Sequence, residues 1–294
     1  MSISPTLRCI CDKKFCKRIV TYNTSPSGEV LFDLGNEPYL REYISCDICS
    51  HMFGKHNLDL SSLYGGNYVD ATYGGREGMV ERLKKVLNLP DEHSDNISRV
   101  RRIVEFWKSF IAAHEPDSPT ALLDVGAGIG VFPAVMKDLG WTASAIEPDA
   151  RTASHLREEV GISAFNQDFL KLSPKELGVF SLVTFNKVLE HLEDPISLLS
   201  HAKHFLSKNG ICYVEVPDIR SSEESFLREE FFIEHHHVFS ISSCAAMAER
   251  SGFRVLKIER IIERSGKYTI FAFLSPHENQ DLVKNGNRKK NPPP

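Results

Sequence analysis

Ala121-Leu122-Leu123-Asp124-Val125-Gly126-Ala127-Gly128-Ile129-Gly130 is the stretch on which the fold turns. Its first half is a short apolar run of the kind buried in a parallel sheet. Its second half places three glycines at alternate positions, where the chain must bend sharply and leave room for a close approach. A helix is expected from Gly130 to Leu139, then a strand from Thr142 to Ile146, with Asp149 capping the next helix. Loops of this kind also serve dinucleotide enzymes, whose fingerprint is G-x-G-x-x-G. Here Val131 stands where the last of those glycines would be. Glu147 ends the next strand, and a carboxylate there can accept hydrogen bonds from both hydroxyls of a ribose. Asp124, just before the loop, can meet the amino end of an amino-acid moiety.

Toward the C-terminus the alternation continues. Val179 to Phe185 and Gly210 to Val216 read as strands, with a helix from about Asp194 to Leu206 between them. This is βαβ repetition, the mark of a doubly wound parallel sheet. Phe253 to Ile262 and Tyr268 to Leu274 are then joined by only Glu263-Arg264-Ser265-Gly266-Lys267, which demands an antiparallel hairpin at the sheet edge. In this order of elements the chain resembles the class I S-adenosylmethionine-dependent methyltransferases. The resemblance covers residues 120 to 275 and implies an α/β fold with a seven-stranded Rossmann-like sheet whose last strand runs antiparallel. Two further stretches carry it. Gln167-Asp168-Phe169 falls where such enzymes set an acidic residue against the adenine amino group, with an apolar neighbour beside the ring. Phe185-Asn186-Lys187-Val188-Leu189-Glu190-His191-Leu192-Glu193-Asp194-Pro195 matches their motif after the fourth strand. The resemblance therefore implies a cofactor site built from Asp124, Gly126, Gly128, Gly130, Glu147, Asp168, Phe169 and Asn186. Glu190 and His191 occur in this motif across many acceptor classes and are expected to line the site.

Toward the N-terminus, five of the seven cysteines cluster at Cys9, Cys11, Cys16, Cys46 and Cys49. No apolar leader precedes them, so the chain is expected to be soluble and cytoplasmic, where clustered cysteines point to metal more than to disulfides. Cys46-Asp47-Ile48-Cys49 is a C-x-x-C pair able to supply half of a tetrahedral zinc site, with two of Cys9, Cys11 and Cys16 supplying the rest. The alternative is a set of free buried thiols. His51 is expected to be a packed or solvent-facing imidazole. A zinc ribbon ahead of this fold, with Leu34-Gly35, Pro38, Cys46 and Cys49 in order, resembles the N-terminal region of bacterial sugar C-methyltransferases.

The acceptor chemistry is expected after the fifth strand, in Phe231-Phe232-Ile233-Glu234-His235-His236-His237-Val238-Phe239-Ser240. This stretch resembles an E-H-x-x-x-[FY]-S element of the same family. In the sugar C-methyltransferases its His, with the neighbouring Glu, is associated with acid-base chemistry; those positions are His235 and Glu234 here. A tyrosine stands in that group where this chain has Phe232. In an extended segment Glu234 would turn away from His235, so His235 is the expected base and Glu234 a supporting residue. Those enzymes also carry a further C-terminal domain, whereas this sequence stops shortly after the terminal hairpin.

The whole sequence bounds these readings. It has 294 residues, 41% hydrophobic and 25% charged, enough for a packed core. Four regions are expected: a zinc-binding region over 1–60, a Tyr-rich lid and helical linker over 61–117, the methyltransferase domain over 118–280, and a disordered tail over 281–294. Ile97, Val100, Ile103, Val104, Trp107 and Ile111 trace one apolar helix face in the linker. Tyr64, Tyr68 and Tyr73 either cover the site or pack into the core. The net charge of -4 speaks against a partner gripped through phosphates. The expected acceptor is a small molecule such as a sugar, in glycan or natural-product assembly. The competing readings are an RNA methyltransferase with a zinc knuckle and a cofactor-binding subunit without turnover.

Overall fold

The computed structural model of the chain describes residues 9–12, 15–30, 38–56, 58, 73–114 and 120–277. Tyr64, Tyr68 and the expected tail lie outside them.

The expected βαβ rhythm is present. The strands β4 (Ala121–Val125), β5 (Thr142–Ile146), β6 (Ser163–Phe165), β7 (Phe180–Asn186), β8 (Leu206–Pro217), β10 (Phe253–Ile262) and β11 (Tyr268–Pro276) form one seven-stranded sheet in the order β10-β11-β8-β7-β4-β5-β6. Strands β4 to β8 pair in parallel, while β11 runs antiparallel to both β8 and β10. The sheet is therefore of the seven-stranded methyltransferase kind. β6, only three residues long, is too short to show a pattern in the sequence.

Successive residues of the central strands feed opposite faces. Leu122, Leu182 and Tyr213 pack with α1 (Gly75–Leu87), α2 (Asp95–His114) and α3 (Val131–Asp138); Leu123, Val183 and Val214 pack with α6 (Pro195–Ala202) and α7 (Ile241–Arg250). Burial on both faces explains why these strands read as continuous apolar runs. The apolar stripe of α2 behaves as its spacing requires, with Val100, Ile103, Trp107 and Ile111 all buried. Asp149 caps α4 (Ala150–His155) by accepting from the amides of Arg151 and Thr152.

A second, four-stranded antiparallel sheet is made of β1 (Cys16–Tyr22), β2 (Arg41–Cys46), β3 (Met52–His56) and β9 (His237–Val238). Three strands come from the cysteine-bearing region. The fourth comes from the segment expected to carry the acceptor chemistry, with Met52 opposite Val238 and Phe53 opposite His237. Among the described residues no helix is long and apolar enough to cross a membrane.

Candidate functional site

The order of the parallel strands reverses between β4 and β7, and open α/β sheets take ligands in a crevice beyond the C-terminal strand ends at such a point. Asp124 stands on one side of it and Asn186 on the other. The Asp124 carboxylate accepts from Thr184 Oγ1 at 2.6 Å and from Asn186 Nδ2 at 2.9 Å. It is 1% exposed, and burial raises it to about 7 against the pull of Thr184, Arg99 and Asn186. Asn186 Oδ1 is buried without a partner among the described residues.

The three glycines differ in what they do. Gly126 has φ 73°, and a Cβ there would lie 2.7 Å from Val188 Cγ2, so the loop can pass the post-β7 segment only without a side chain. Gly130, expected at the cofactor, caps α3 with φ 80°, and a Cβ would meet Leu156 at 2.5 Å. Its role is to let the helix seat against the next one. At Gly128 a Cβ would meet no clash, touching only the Tyr73 hydroxyl at 3.5 Å. Tyr73 therefore lies over the loop. The Gly128 amide donates to Glu147 Oε2 at 3.0 Å, and burial raises the Glu147 carboxyl to about 7.

Asp168 and Phe169 part company. Asp168 is exposed; it caps the turn Phe169–Lys171 by accepting from the Leu170 amide at 3.1 Å. Phe169, expected beside an adenine ring, is 3% exposed and packs against Phe205 and His201 instead. It anchors the turn from below. The apolar side chain left open on that turn is Leu170, 47% exposed, which the sequence did not single out.

The expected catalytic pair also divides. His235 Nδ1 donates to the Glu230 carbonyl at 3.1 Å, because a carbonyl can only accept; the unprotonated nitrogen of the neutral ring is then Nε2. His235 meets His191 edge to face, ring centroids 4.7 Å apart. One oxygen of Glu190 and one nitrogen of each of His191 and His235 lie within 4.8 Å of one another. His191 Nδ1 is fixed in the same way, by the Glu234 carbonyl at 3.0 Å, and the Glu190 carbonyl takes the His236 amide at 2.7 Å. The two Glu-His stretches are thus laced together, and the partner of His235 is Glu190-His191 rather than Glu234. Glu234 has one oxygen buried and without a partner among the described residues, and burial raises its carboxyl to about 7. Burial likewise raises Glu190 to about 7, with Lys187 opposing; both its oxygens are buried without a partner among the described residues. Burial lowers His191 to about 4 and, with His191 beside it, holds His235 well below the usual imidazole range. The signal for this meeting was present in the sequence as two Glu-His pairs after consecutive parallel strands. Phe232, where the resemblance sets a tyrosine, lies 3.5 Å from the Cβ position of Gly28.

The thiols gather as well. Cys9 lies 3.4 Å from Cys11 and 3.3 Å from Cys49, and Cys11 lies 3.6 Å from Cys46, sulfur to sulfur. A disulfide needs about 2.05 Å, and all are free thiols. Four sulfurs around zinc, each about 2.3 Å from it, stand about 3.8 Å apart. Two tight turns present them: the Asp12 amide donates to Cys9 O at 2.8 Å and the Ser50 amide to Cys46 O at 2.9 Å, with Asp12 and Ser50 in the left-handed region. Although burial opposes it, Cys46 is lowered to about 7 by the amides of Cys49 and Ile48. Cys16 stands outside this group of four. His51 is packed, its ring nitrogens engaged by Ser243 and His237.

The profile of the methyltransferase domain family matches residues 97–258. The chain belongs to that family. Its fold is that of the class I S-adenosylmethionine-dependent methyltransferases. Among curated relatives, the C-methyltransferase NovU of Streptomyces niveus is 22% identical over 250 residues, which are 83% of this chain and 52% of that protein. The chain thus spans about half the length of that relative. Among solved structures, magnesium protoporphyrin IX methyltransferase of Synechocystis PCC 6803 with bound S-adenosylhomocysteine superposes with a TM-score of 0.53 at 12% identity, over 74% of this methyltransferase and 100% of that chain. Its S-adenosylmethionine complex gives 0.51 at 12% identity, over 76% and 100%. These likenesses bear on the fold alone.

Proposed function

We propose that this methyltransferase carries a methyl group from S-adenosylmethionine to a carbon or oxygen of a small, hydroxyl-rich acceptor such as a sugar, with His235 taking the acceptor's proton. The observation that carries this reading is the meeting of His235, His191 and Glu190 beside the Asp124–Asn186 crevice. When bound, S-adenosylmethionine supplies a methyl on a sulfonium, already activated for displacement. The chain's own residues do the rest. Asp124 and Asn186 would receive the cofactor's amino-acid end, and Glu147 would accept from its ribose. The turn carrying Asp168 and Leu170 would meet its adenine.

His235 is suited to the proton. Its Nδ1 hydrogen is committed to the Glu230 carbonyl, so Nε2 is the basic atom, and burial keeps the ring neutral at physiological pH. The imidazolium that forms is met by the Glu190 carboxylate. The likeness to a C-methyltransferase supports carbon as the acceptor atom, and the resemblance to sugar enzymes supports the class.

Cys9, Cys11, Cys46 and Cys49 fit one structural zinc: four sulfurs, tight turns on both sides, and amides directed at Cys46. A region this small has little core of its own and gains its shape from such a staple. Incubating the protein with labelled S-adenosylmethionine and metabolite extract from its source tests the function. Label in a polyhydroxylated product is expected. Label only in RNA would refute the small-molecule reading.

A further inference from the structure

The stretch from Glu224 to His237 has little regular structure, yet several of its backbone polar groups are bonded from elsewhere in the chain. On one side they bond to the motif after β7, as described. On the other they bond to side chains of the cysteine-bearing sheet. Glu29 and Arg41 form an ion pair at 2.9 Å with side chains 0% and 1% exposed. Both also bond the Tyr39 hydroxyl, and each reaches this stretch: Arg41 Nη1 donates to the Phe231 carbonyl, and Glu29 Oε2 accepts the Ile233 amide at 2.7 Å. Tyr43, fully buried, donates its hydroxyl to the carbonyl of His235 itself at 2.6 Å. The Gly54 amide follows, donating to the His236 carbonyl at 2.9 Å.

A buried ion pair is weak evidence for stability, since taking both charges out of water costs about what their attraction returns. This one is arranged to hold a backbone. Together with Tyr43 it fixes the peptides on either side of Glu234-His235 from behind, while Glu190 and His191 hold the front. The position of the imidazole follows from that double grip, and small displacements of a reacting group are costly.

We infer that Tyr43, with the Glu29–Arg41 pair, is a positioning residue for His235: the N-terminal sheet sets the geometry of the base in the methyltransferase domain. The inference rests on the reading of His235 as the base.

The test is a double-mutant cycle on the full chain, using Tyr43→Phe, His235→Ala and the double variant. The probe is labelled S-adenosylmethionine at saturation with the source's metabolite extract, read as initial rate of label transfer. S-adenosylhomocysteine affinity and thermal midpoint are measured alongside. Tyr43→Phe removes one hydroxyl and keeps the ring, so folding is preserved. It should lower the rate about 10-fold, leave S-adenosylhomocysteine affinity within about twofold, and add nothing once His235 is alanine. The same fold-loss in both backgrounds, or no loss in the single variant, overturns the positioning role. If His235→Ala alone matches the parent rate, the base assignment fails and takes this inference with it, an outcome distinct from the additive one. Glu29→Gln gives an independent arm: the amide oxygen of the new side chain can still accept the Ile233 amide, so a loss larger than that of Tyr43→Phe with unchanged cofactor affinity is expected from the unpaired Arg41. Cofactor affinity falling in parallel with rate would mark the pair as merely structural.

Discussion

The amide of Gly128 donates to the carboxylate of Glu147 across 3.0 Å, joining the loop after β4 directly to the end of β5. The loop after β4 and the end of β5 are therefore coupled through one acidic group, and the state of that group bears on what the loop can bind.

The first prediction follows from it. Burial raises both Glu147 and Asp124 to about 7. Accepting from a ribose or meeting an ammonium requires the ionised form of each. Raised carboxyls are protonated below about pH 7, so S-adenosylhomocysteine binding should weaken on acidification, by up to about tenfold per pH unit per group. Complex formation at pH 6 should release protons. Calorimetry from pH 5.5 to 8 in two buffers of different ionisation enthalpy checks both; an affinity flat across that range would sink the assignment. Glu147→Ala should cost about 1.5–3 kcal/mol of binding, the scale of lost charged hydrogen bonds.

The glycines make a sharper comparison. Gly126→Ala would push a Cβ into Val188 at 2.7 Å with φ 73°, so the loop or the post-β7 segment must move. Gly128→Ala meets only the Tyr73 hydroxyl at 3.5 Å, although φ 53° still disfavours a side chain. Gly126→Ala should lower the thermal midpoint more than Gly128→Ala, while Gly128→Ala should weaken cofactor binding with a smaller stability loss. Equal stability losses of about 1 kcal/mol, the cost of the backbone conformation alone, would show that Val188 yields freely.

Most of the sheet was legible in the sequence because its strands are buried on both faces and its helices carry one apolar stripe. β5 and α2 came out where periodicity put them. What escaped was set by contacts distant in sequence. The pairing of β9 with β3 depends on His237 and Val238 meeting Phe53 and Met52, and two residues carry no periodic signal. Phe169 could not be told from a ligand-facing ring, since core and pocket both want an aromatic. Gly130 was read with its two neighbours as one motif, but Leu156 decides its role from a different helix. The Glu190-His191 stretch was visible, yet its approach to His235 exists only once two loops fold together.

The thiol geometry separates the cysteines. Cys9, Cys11, Cys46 and Cys49 converge and Cys16 stands outside. One zinc per chain is expected by elemental analysis of untagged protein. Cys46→Ser should release it and loosen the N-terminal sheet, while Cys16→Ser should retain it. Because the Cys49 carbonyl accepts from Ser240 and the Ile10 carbonyl from Arg250, the Cys46→Ser protein should also lose hydrogen-exchange protection at the start of α7. Retention of zinc by Cys46→Ser, or its loss from Cys16→Ser, would redraw the ligand set.

The last prediction concerns the pH at which turnover appears. His235 is held well below 6.5 by burial and by His191 beside it, so it is already neutral across the physiological range and contributes no titration near its ordinary value. Glu190, raised to about 7 by burial, does titrate there. A base of low proton affinity transfers poorly unless the imidazolium it becomes is stabilised, and an ionised Glu190 within 4.8 Å of both rings supplies that charge. At saturating cofactor, where the titrations of Glu147 and Asp124 no longer limit binding, kcat should therefore rise through about pH 7 and level off above it. His235→Ala should lower the plateau by about 10²–10⁴-fold, the usual share of general-base catalysis, with S-adenosylhomocysteine affinity nearly unchanged. Glu190→Gln should lower the plateau less and abolish the limb near pH 7, because the group that produced it is gone. A limb that persists unchanged in Glu190→Gln would remove Glu190 from the proton chemistry. Near-parental turnover in His235→Ala would remove the base.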